Sequence, residues 1–318
     1  MTIKVSRAPL QLGELPHVGP AALSMGVFDG VHLGHRQLLA ATRAAAAERG
    51  ISSVALVFDP PPPEVLRPGV VVPRLAPLAT NLELIEATGL DAALPVRFDA
   101  EMRALTAGEF IDALSPALEL RALVMTPGSA FGRNRGGTPV AMRRLGRRRG
   151  FEVVIVEPLL LGGAPVSSTR VRGAIAEGNV SAAADLLGRP PTLSGTVVTG
   201  DRRGHALGFP TANLAFDHPP AMPPLGIYVG GASVPERQVG PEHPALVSVG
   251  VRPTFHDEGR VLVEVYLLDF DGDLYDAQLT VTLTHRLRSE RRFESVPALV
   301  RQMQADELDA RRFLGIGG

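Results

Sequence analysis

MGVFDGVHLGH, residues 25–35, decides the fold of the N-terminal half, because it ends an apolar run, makes a glycine-rich turn and opens a helix. Gly26 and Gly30 allow the backbone to approach a ligand closely. The free N–H groups and the positive dipole end of the following helix favour an anion at this corner. His32 and His35 lie one helical turn apart and therefore share a face. The pattern predicts a phosphate-binding corner between a strand and a helix.

An H-x-G-H at such a corner is typical of nucleotidyltransferases, whose imidazoles bind the triphosphate and stabilise charge that develops on the transferring group. We therefore assign His32 and His35 to catalysis. Four residues of the turn are assigned to nucleotide binding: Gly26, Phe28, Asp29 and Gly30. The alternative is that both histidines are solvated surface residues or one half of a zinc site.

The composition limits the classes of protein that remain. The chain has 318 residues, 45% of them apolar, and this length favours two domains. Cysteine is absent, which excludes disulfides, thiolate nucleophiles, iron–sulfur clusters and cysteine-based zinc sites. A net charge of −1 predicts no general attraction to nucleic acid or to an acidic membrane.

Lys4 is the only lysine, so a Walker A loop is impossible. Phosphates must instead be held by arginine, histidine, main-chain N–H groups and a metal. No apolar run reaches the roughly 18 residues of a membrane span, and no secretory pattern is visible near the N-terminus. We therefore expect a cytoplasmic protein that acts without a membrane or nucleic-acid partner.

The first 187 residues alternate strand-like apolar runs with helical segments in a βαβ rhythm. The predicted strands cover residues 21–27, 51–58, 91–96, 121–126 and 151–157, and the predicted helices cover residues 34–49, 79–88, 107–114 and 138–149. This pattern predicts an α/β domain over 1–187, with a Rossmann-like parallel sheet and ligands bound beyond the carboxyl ends of its strands.

SSTRVR, residues 167–172, is the second motif of this half. Its hydroxyl groups can cap a helix that runs to Glu177, and the Arg172 fork can donate to two phosphate oxygens at once. A second helix N-terminus would then serve the same triphosphate, and we assign Ser168, Thr169 and Arg172 to nucleotide binding. Taken alone, the motif indicates an ordinary N-cap followed by a surface arginine, and the H-x-G-H corner upstream is what favours nucleotide binding.

Near GRPP, residues 188–191, helices give way to short strand-like runs. The predicted strands cover residues 193–199, 211–216, 227–234, 245–249, 261–268 and 279–287, and a helix is predicted over residues 295–313. Six short strands at this spacing, followed by one helix, predict a second domain over 188–318 that forms a small closed β-barrel.

The segment 195–214, GTVVTGDRRGHALGFPTANL, carries four glycines and can fold over phosphates. Thr211 and Asn213 are two residues apart, so on an extended segment they point the same way and can share one hard cation such as Mg²⁺. The nucleotide-binding residues assigned to this segment are Gly200, Arg203, Gly204, Gly208 and Pro210. The alternative is a glycine-rich hairpin with a proline-initiated turn.

Glu264 lies in the run VLVEVYLL, residues 261–268, where alternation puts it on the strand face of Leu262 and Tyr266. A carboxylate on a largely apolar strand needs a reason. One reason is a general base for a substrate hydroxyl. The other is an ion pair with Arg252 or Arg288.

Taken together, these motifs resemble those of the bacterial bifunctional riboflavin kinase/FMN adenylyltransferases, also called FAD synthetases. The resemblance rests on residues 26–35 and 167–172 in the first half and on five stretches in the second: 195–214, 224–228, 248–255, 264–275 and 286–293. It implies a nucleotidyltransferase domain joined to a six-stranded flavokinase barrel. It also implies that riboflavin is phosphorylated to FMN and that FMN is adenylylated to FAD, with Mg²⁺ and ATP.

The resemblance also implies roles for individual residues. Thr211 and Asn213 would lie at the Mg·nucleotide, and Glu264 would be the base for the riboflavin 5′-hydroxyl. Three residues would lie near the flavin: Phe131, Arg288 and Phe293. The implied partners are the small molecules riboflavin, FMN and ATP, and the implied assembly is a monomer or weak homo-oligomer.

Several residues depart from the family pattern. Pro61 stands where the family has a histidine, and Gly128 and Ser129 replace a carboxylate and an aromatic residue of the flavin loop. His205 stands for an arginine and Ser248 for an asparagine. Two alternatives therefore stay open. One is a riboflavin kinase whose N-terminal domain is degenerate or has a changed substrate, and the other is a catalytically silent flavin-binding or regulatory module.

Overall fold

The structure is a computed structural model that describes residues 6–200, 208–251 and 261–317. The chain divides into two compact units. The first contains residues up to Val72 together with Pro77–Ser168, and the second contains Pro73–Ala76 together with residues from Thr169 onward. The domain limits of 1–187 and 188–318 stay a prediction.

A five-stranded parallel sheet forms the first unit, in the order β3-β2-β1-β4-β5. Its strands are β1 (Gly19–Gly26), β2 (Ser52–Asp59), β3 (Ala92–Arg97), β4 (Leu118–Met125) and β5 (Glu152–Ile155). The strand order changes direction between β1 and β4, which makes the carboxyl end of β1 a topological switch point. This confirms the predicted Rossmann-like fold and puts the H-x-G-H corner where such sheets bind ligands.

Both faces of this sheet are buried. In β1, Ala21 and Leu23 pack into one apolar cluster while Ala22 packs into another, and in β2 Val54 and Ala55 divide in the same way. A strand covered on both sides has no need of polar alternation, which explains the continuous apolar runs in the sequence.

Helices cover the sheet and fill its connections. They are α1 (Leu33–Ala47), α2 (Pro62–Leu66), α3 (Leu78–Glu86), α4 (Ala100–Ala104), α5 (Ala107–Leu114) and α6 (Pro139–Arg149), while two further helices, α7 (Ser168–Ala176) and α8 (Val180–Leu187), lie in the second unit from Thr169 onward. Their ends follow local chemistry. Thr106 and Glu109 form a capping box at α5, and α6 begins after the cap Thr138 and stops at Gly150, whose φ is 79°. The short helices α2 and α4 were not predicted.

The second unit is an antiparallel barrel. Its strands are β8 (Thr192–Val198), β9 (Ala212–Ala215), β10 (Gly226–Val234), β11 (Val239–Val251), β12 (Val261–Leu267), β13 (Gln278–Thr282) and β14 (His285–Ser289). The two remaining strands, β6 (Leu160–Leu161) and β7 (Ala164–Pro165), form a separate hairpin in the first unit. Six strands close a ring in the order β8-β9-β12-β11-β10-β13, while β14 pairs with β10 outside it. The predicted six-stranded barrel is confirmed.

A C-terminal helix, α9 (Val296–Leu314), packs on the outer face of the barrel. Its Ala310 is fully buried against three apolar side chains, Val229 of β10, Leu246 of β11 and Leu268, which directly follows β12. The barrel interior is a separate apolar cluster that includes Tyr228, Val247 and Val263. No helix in the described part of the chain is both long enough and apolar enough to cross a bilayer.

Two strand predictions differ from the structure. The predicted strand 279–287 is two strands, because the chain bends at Leu283 and Thr284, whose N–H groups donate to the carbonyls of Pro191 and Val229. The predicted strand 245–249 is the C-terminal part of a longer one, β11. Pro241 and Pro244 interrupt the apolar pattern in its first half, which hid that part of the strand.

Candidate active sites

The first candidate site begins where β1 ends. The chain leaves Gly26 and passes through three left-handed residues, Phe28 (φ 51°), Gly30 (φ 74°) and Val31 (φ 39°), before α1 starts. Non-glycine residues in this conformation are strained, and such strain collects at functional loops. The Gly30 N–H donates to Oδ1 of Asn81, a buried residue of α3, at 2.8 Å. Asn81 therefore fixes the turn, and sequence reasoning missed it because its partner is 51 residues away.

His32 caps α1 with its ring. Nδ1 of His32 accepts the backbone N–H of His35 at 3.2 Å, and the two imidazoles stack with centroids 3.6 Å apart and planes 15° apart. Because Nδ1 accepts a hydrogen bond, it carries no proton. In a neutral imidazole the proton is then on Nε2, which is left as a donor.

Burial favours the neutral form of His35. Burial of the ring, and then the charge of a protonated His32, lower the pKa of His35 well below its ordinary value. Its Nδ1 is buried and has no hydrogen-bond partner among the described residues. With its pKa lowered in this way, the His35 imidazole can act toward an anion as a hydrogen-bond donor rather than as a fixed charge.

Gly34 and Phe28 shape the surroundings of the two rings. A Cβ at Gly34 would lie 3.1 Å from the carbonyl oxygen of Val166 and 3.3 Å from the His32 ring, so the close packing here favours glycine. Phe28 is buried and meets His35 edge-on, with centroids 5.2 Å apart. Its side chain therefore supports the imidazole, and a direct contact of Phe28 with nucleotide stays a prediction.

The second motif reaches this corner through Ser168, the first residue of α7. Its Oγ donates to the carbonyl oxygen of Asp29 at 3.1 Å, while the Asp29 side chain is buried. Thr169 is exposed, and the Nε of Arg172 donates to the carbonyl oxygen of Pro73 at 2.7 Å. Thr169 and Arg172 belong to the second unit, and their nucleotide contacts stay predictions.

The positions that depart from the family pattern form ordered local structure. Pro61 directly precedes α2. Thr126 and Ser129 close a tight turn, in which the Thr126 N–H donates to Ser129 Oγ at 3.1 Å and the two hydroxyls are 2.8 Å apart. The ring of Phe131 packs against Phe110 of the core at 5.4 Å. Stacking of Phe131 on a flavin stays a prediction.

The second candidate site is a row of residues across five strands of the barrel. Strand pairing sets Asn213 opposite Glu264, Glu264 opposite Ser248, Ser248 opposite Ile227, and Ile227 opposite Arg288. Directly opposed residues share one face of a sheet. We call these five residues the transverse row. Since the alternating neighbours Val263 and Val265 fill the barrel core, the transverse row lies on the outer face, where α9 packs.

A small cavity of about 70 Å³ opens on this face beside Glu264. Its wall includes Thr211, Ser248 and Tyr266 from the barrel and Met303 and Asp306 from α9. Thr211 Oγ1 donates to Oε1 of Glu264 at 3.4 Å. The structure thus brings together the proposed base and one of the two proposed metal ligands at the same cavity.

Gly200 packs directly against the other proposed ligand. A Cβ at Gly200 would lie 2.6 Å from Cγ and 2.7 Å from Oδ1 of Asn213, so only glycine fits here without moving the carboxamide. Thr211 and Asn213 offer a hydroxyl and an amide oxygen beside the Glu264 carboxylate, and these are donors that Mg²⁺ accepts. Within the described ranges no cluster of three or more His, Cys, Asp or Glu residues is arranged to hold a metal by itself.

Two of the three residues predicted near the flavin, Arg288 and Phe293, are neighbours. The Arg288 guanidinium lies 5.9 Å from the ring centroid of Phe293. Arg288 forms its ion pair with Asp306, at 2.6 Å from Nη2 to Oδ2, and not with the proposed base Glu264. Asp306 was missed from the sequence, because only the packing of α9 on the barrel shows that this carboxylate is buried.

Part of the predicted phosphate loop lies outside the described residues. This applies to Arg203, Gly204 and His205, and Arg252, the other predicted ion-pair partner of Glu264, lies in a second range outside the described residues. At the end of the first gap, Gly208 has a φ of 84°, and both Gly208 and Pro210 are exposed. Their contacts with nucleotide stay predictions.

Comparison with known proteins gives two family matches, one in each half of the chain. Residues 16–170 match the FAD synthetase family, and residues 187–314 match the riboflavin kinase family. The first match spans Pro61, Gly128 and Ser129, so the departures at these positions do not remove the N-terminal half from its family.

Similar proteins extend over nearly the whole chain. A bifunctional riboflavin kinase/FMN adenylyltransferase from Escherichia coli (strain K12) is 36% identical over 99% of both chains. One from Pseudomonas fluorescens with the same description is 37% identical over 91% of both chains. A solved structure from Streptococcus pneumoniae, described as a macrolide-efflux protein, is 29% identical, covers 98% of this chain and 99% of its own, and has a TM-score of 0.83.

Proposed function

The chain belongs to the family of bifunctional riboflavin kinase/FMN adenylyltransferases, and from this premise we propose how its two sites divide the chemistry. The second half phosphorylates riboflavin with ATP to give FMN and ADP. The first half transfers AMP from a second ATP to FMN, which gives FAD and pyrophosphate. The observation that carries the assignment is the placement of Glu264, which stands directly opposite Asn213 in the transverse row and shares one cavity with the hydroxyls of Thr211 and Ser248.

In the kinase site Glu264 is the general base. Its carboxylate accepts the proton of the ribityl 5′-hydroxyl as that oxygen attacks the γ-phosphorus of ATP, and ADP leaves. Thr211 Oγ1 donates to Oε1 of Glu264 at 3.4 Å, and Asn213 stands directly opposite Glu264 on β9, so both proposed metal ligands adjoin the base. The apolar wall of Phe209, Ile227 and Leu246 excludes water from competing for the phosphoryl group.

Magnesium fits the kinase site as the partner of ATP. Thr211 and Asn213 would hold it together with phosphate oxygens, in line with the small number of protein ligands that Mg²⁺ uses at such sites. When bound, it would offset the negative charge of the phosphates. The close packing of Gly200 on Asn213 then has a function, because it keeps the carboxamide in one place.

In the adenylyltransferase site no base is needed, because the FMN phosphate is already an anion when it attacks the α-phosphorus of ATP. The Nε2–H of His32 and the neutral imidazole of His35 donate to the phosphate oxygens. The N-terminus of α1 adds its free N–H groups and positive dipole end. Pyrophosphate leaves, and Ser168 keeps the Asp29 turn in place.

One time course separates the two reactions. The protein is mixed with riboflavin and Mg·ATP, and the flavins are separated by chromatography. We expect FMN first and FAD later. FMN without FAD would indicate a degenerate first half, and riboflavin binding without ADP formation would indicate a silent binding module.

Two sets of substitutions serve as each other's control. His32→Ala with His35→Ala should lower FAD formation by about 10²-fold or more and spare FMN formation. Glu264→Gln should abolish FMN formation and spare the adenylylation of supplied FMN. An equal loss of both activities in either variant, or of neither, contradicts the division.

The remaining parts of the proposal concern the domain limits, the location in the cell and the oligomeric state. We propose domain limits of 1–187 and 188–318. We also propose that the protein acts in the cytoplasm, and that it is a monomer or a weak homo-oligomer. Limited proteolysis near residue 188, cell fractionation and sedimentation test these three points.

A further inference from the structure

Asp306 is one of two carboxylates buried in the described part of the chain, the other being Asp29. It lies on α9 and is 5% exposed. Its oxygens accept from Arg288 Nε at 2.8 Å, Arg288 Nη2 at 2.6 Å and Gln302 Nε2 at 2.7 Å. A buried charge with these bonds is paired through the planar fork of arginine, which fixes direction as well as distance.

The position of Asp306 relates this ion pair to the kinase site. Asp306 lines the cavity that also contains Glu264 and Thr211. Arg288 stands at one end of the transverse row, opposite Ile227, which is part of the same cavity wall. The bond between Asp306 and Arg288 therefore ties α9 to the edge of the barrel directly beside the substrate cavity.

A paired Asp306 also changes the electrostatics of the cavity. Two unpaired carboxylates facing one apolar cavity would repel each other and any phosphate that enters. Arg288 neutralises the charge of Asp306, and Asp306 in turn keeps the guanidinium from turning toward Glu264. The base thus keeps its own partner Thr211.

We propose that Asp306 is a positioning residue for riboflavin, which holds Arg288 and the adjoining Phe293 in the orientation that receives the flavin. This inference rests on the proposed riboflavin kinase activity. Arg288 alone has many rotamers, and ordering them on binding would lower the affinity for the flavin. Since the ATP side of the site is built from Thr211 and Asn213, loss of Asp306 should affect the flavin and spare the nucleotide.

The test is Asp306→Asn in the full-length chain, with Asp309→Asn as the matched control. Asp309 is an exposed acid on the same helix, paired only loosely with Arg312 at 3.3 Å. We expect Asp306→Asn to raise the KM for riboflavin about tenfold or more, leave the KM for ATP unchanged and spare the adenylylation of supplied FMN. Asp309→Asn should change none of these values.

A double-mutant cycle tests whether Asp306 acts through Arg288. On the background Arg288→Met, the change Asp306→Asn should add little to the riboflavin KM, because the group it positions is already gone. Equal increases on both backgrounds would overturn the inference. So would a riboflavin KM within twofold of the parent in Asp306→Asn.

Arg288→Lys keeps the test decisive if Asp306→Asn does not fold. Lysine preserves the positive charge beside Asp306 but lacks the fork, so the riboflavin KM should rise while the ATP KM stays constant. An unchanged riboflavin KM in Arg288→Lys overturns the proposal. If the parent protein forms no FMN, the proposed kinase function is wrong. If the parent forms FMN and the variants keep its riboflavin KM, the kinase function stands and only the role of Asp306 is wrong.

Discussion

Gly200→Ala should impair the kinase site by moving one side chain. The three atoms nearest to a Cβ at Gly200 all belong to Asn213, with Oδ1 at 2.7 Å. Ordinary van der Waals contact starts at 3.4 Å, so the whole carboxamide, whose Nδ2 is the nearest of these atoms, has to retreat. Misplacement of a positioned group by about 1 Å can cost about 10²-fold in rate. We expect the kcat for FMN formation to fall by about 10- to 100-fold.

The effect on stability should be smaller than the effect on rate. Overpacking usually costs about 1–3 kcal/mol, and here the atoms in the way are the far end of a side chain that can turn. The midpoint of thermal unfolding should therefore fall by a few degrees at most, and the protein stays folded at the assay temperature.

The assay measures FMN formation from riboflavin and Mg·ATP, with adenylylation of supplied FMN as the internal control in the same sample. Gly240→Ala is the matched variant, because Gly240 is an exposed residue of β11 with no atom within 4 Å of a Cβ. It should behave like the parent. A kcat for Gly200→Ala within twofold of the parent would refute the placement of Asn213 at the reacting phosphates.

Three further predictions concern the first unit. Burial lowers the pKa of His35, so on acidification through about pH 6.5 the unfolded chain takes up the proton first and the free energy of unfolding falls. Urea unfolding between about pH 7.5 and 5.5 measures this dependence on pH, and His35→Gln should make it weaker. An unchanged slope of the free energy of unfolding against pH would contradict the assignment. Asn81→Ala leaves the Gly30 N–H without its partner and should cost about 1–3 kcal/mol and slow FAD formation, while FMN formation stays normal; Asn81→Asp retains an acceptor and should lose less activity, and equal loss in both would count against the role of this bond. Phe131→Leu preserves apolar contact with Phe110, so a raised KM for FMN at unchanged stability supports a flavin contact, and an unchanged KM removes Phe131 from the site.

The H-x-G-H corner could be predicted because its signals are local. Glycines, a following helix and two histidines one turn apart lie within eleven residues. The bond between Gly30 and Asn81 could not be predicted, since it joins residues 51 apart and depends on how α3 packs. The burial that keeps His35 neutral likewise follows from packing, because composition does not reveal whether a ring is buried.

Alternation correctly predicted which residues share the face of Glu264. It could not predict that this face is the outside of the barrel, because the inside is defined only when β10 and β11 close the ring. Asp306 was missed for a related reason. In the sequence it is one of several acids in a charged helix, and only the packing of α9 on the barrel shows that it is buried.

The barrel has an apolar interior and carries the proposed reacting groups on its outer face. Thermal stability and substrate selectivity therefore depend on different side chains. Substitutions of Val247, Val263 or Val265 by other apolar residues should alter the melting temperature and leave the choice of flavin unchanged. Protein engineering could therefore raise stability through interior substitutions and change substrate preference separately through substitutions on the outer face.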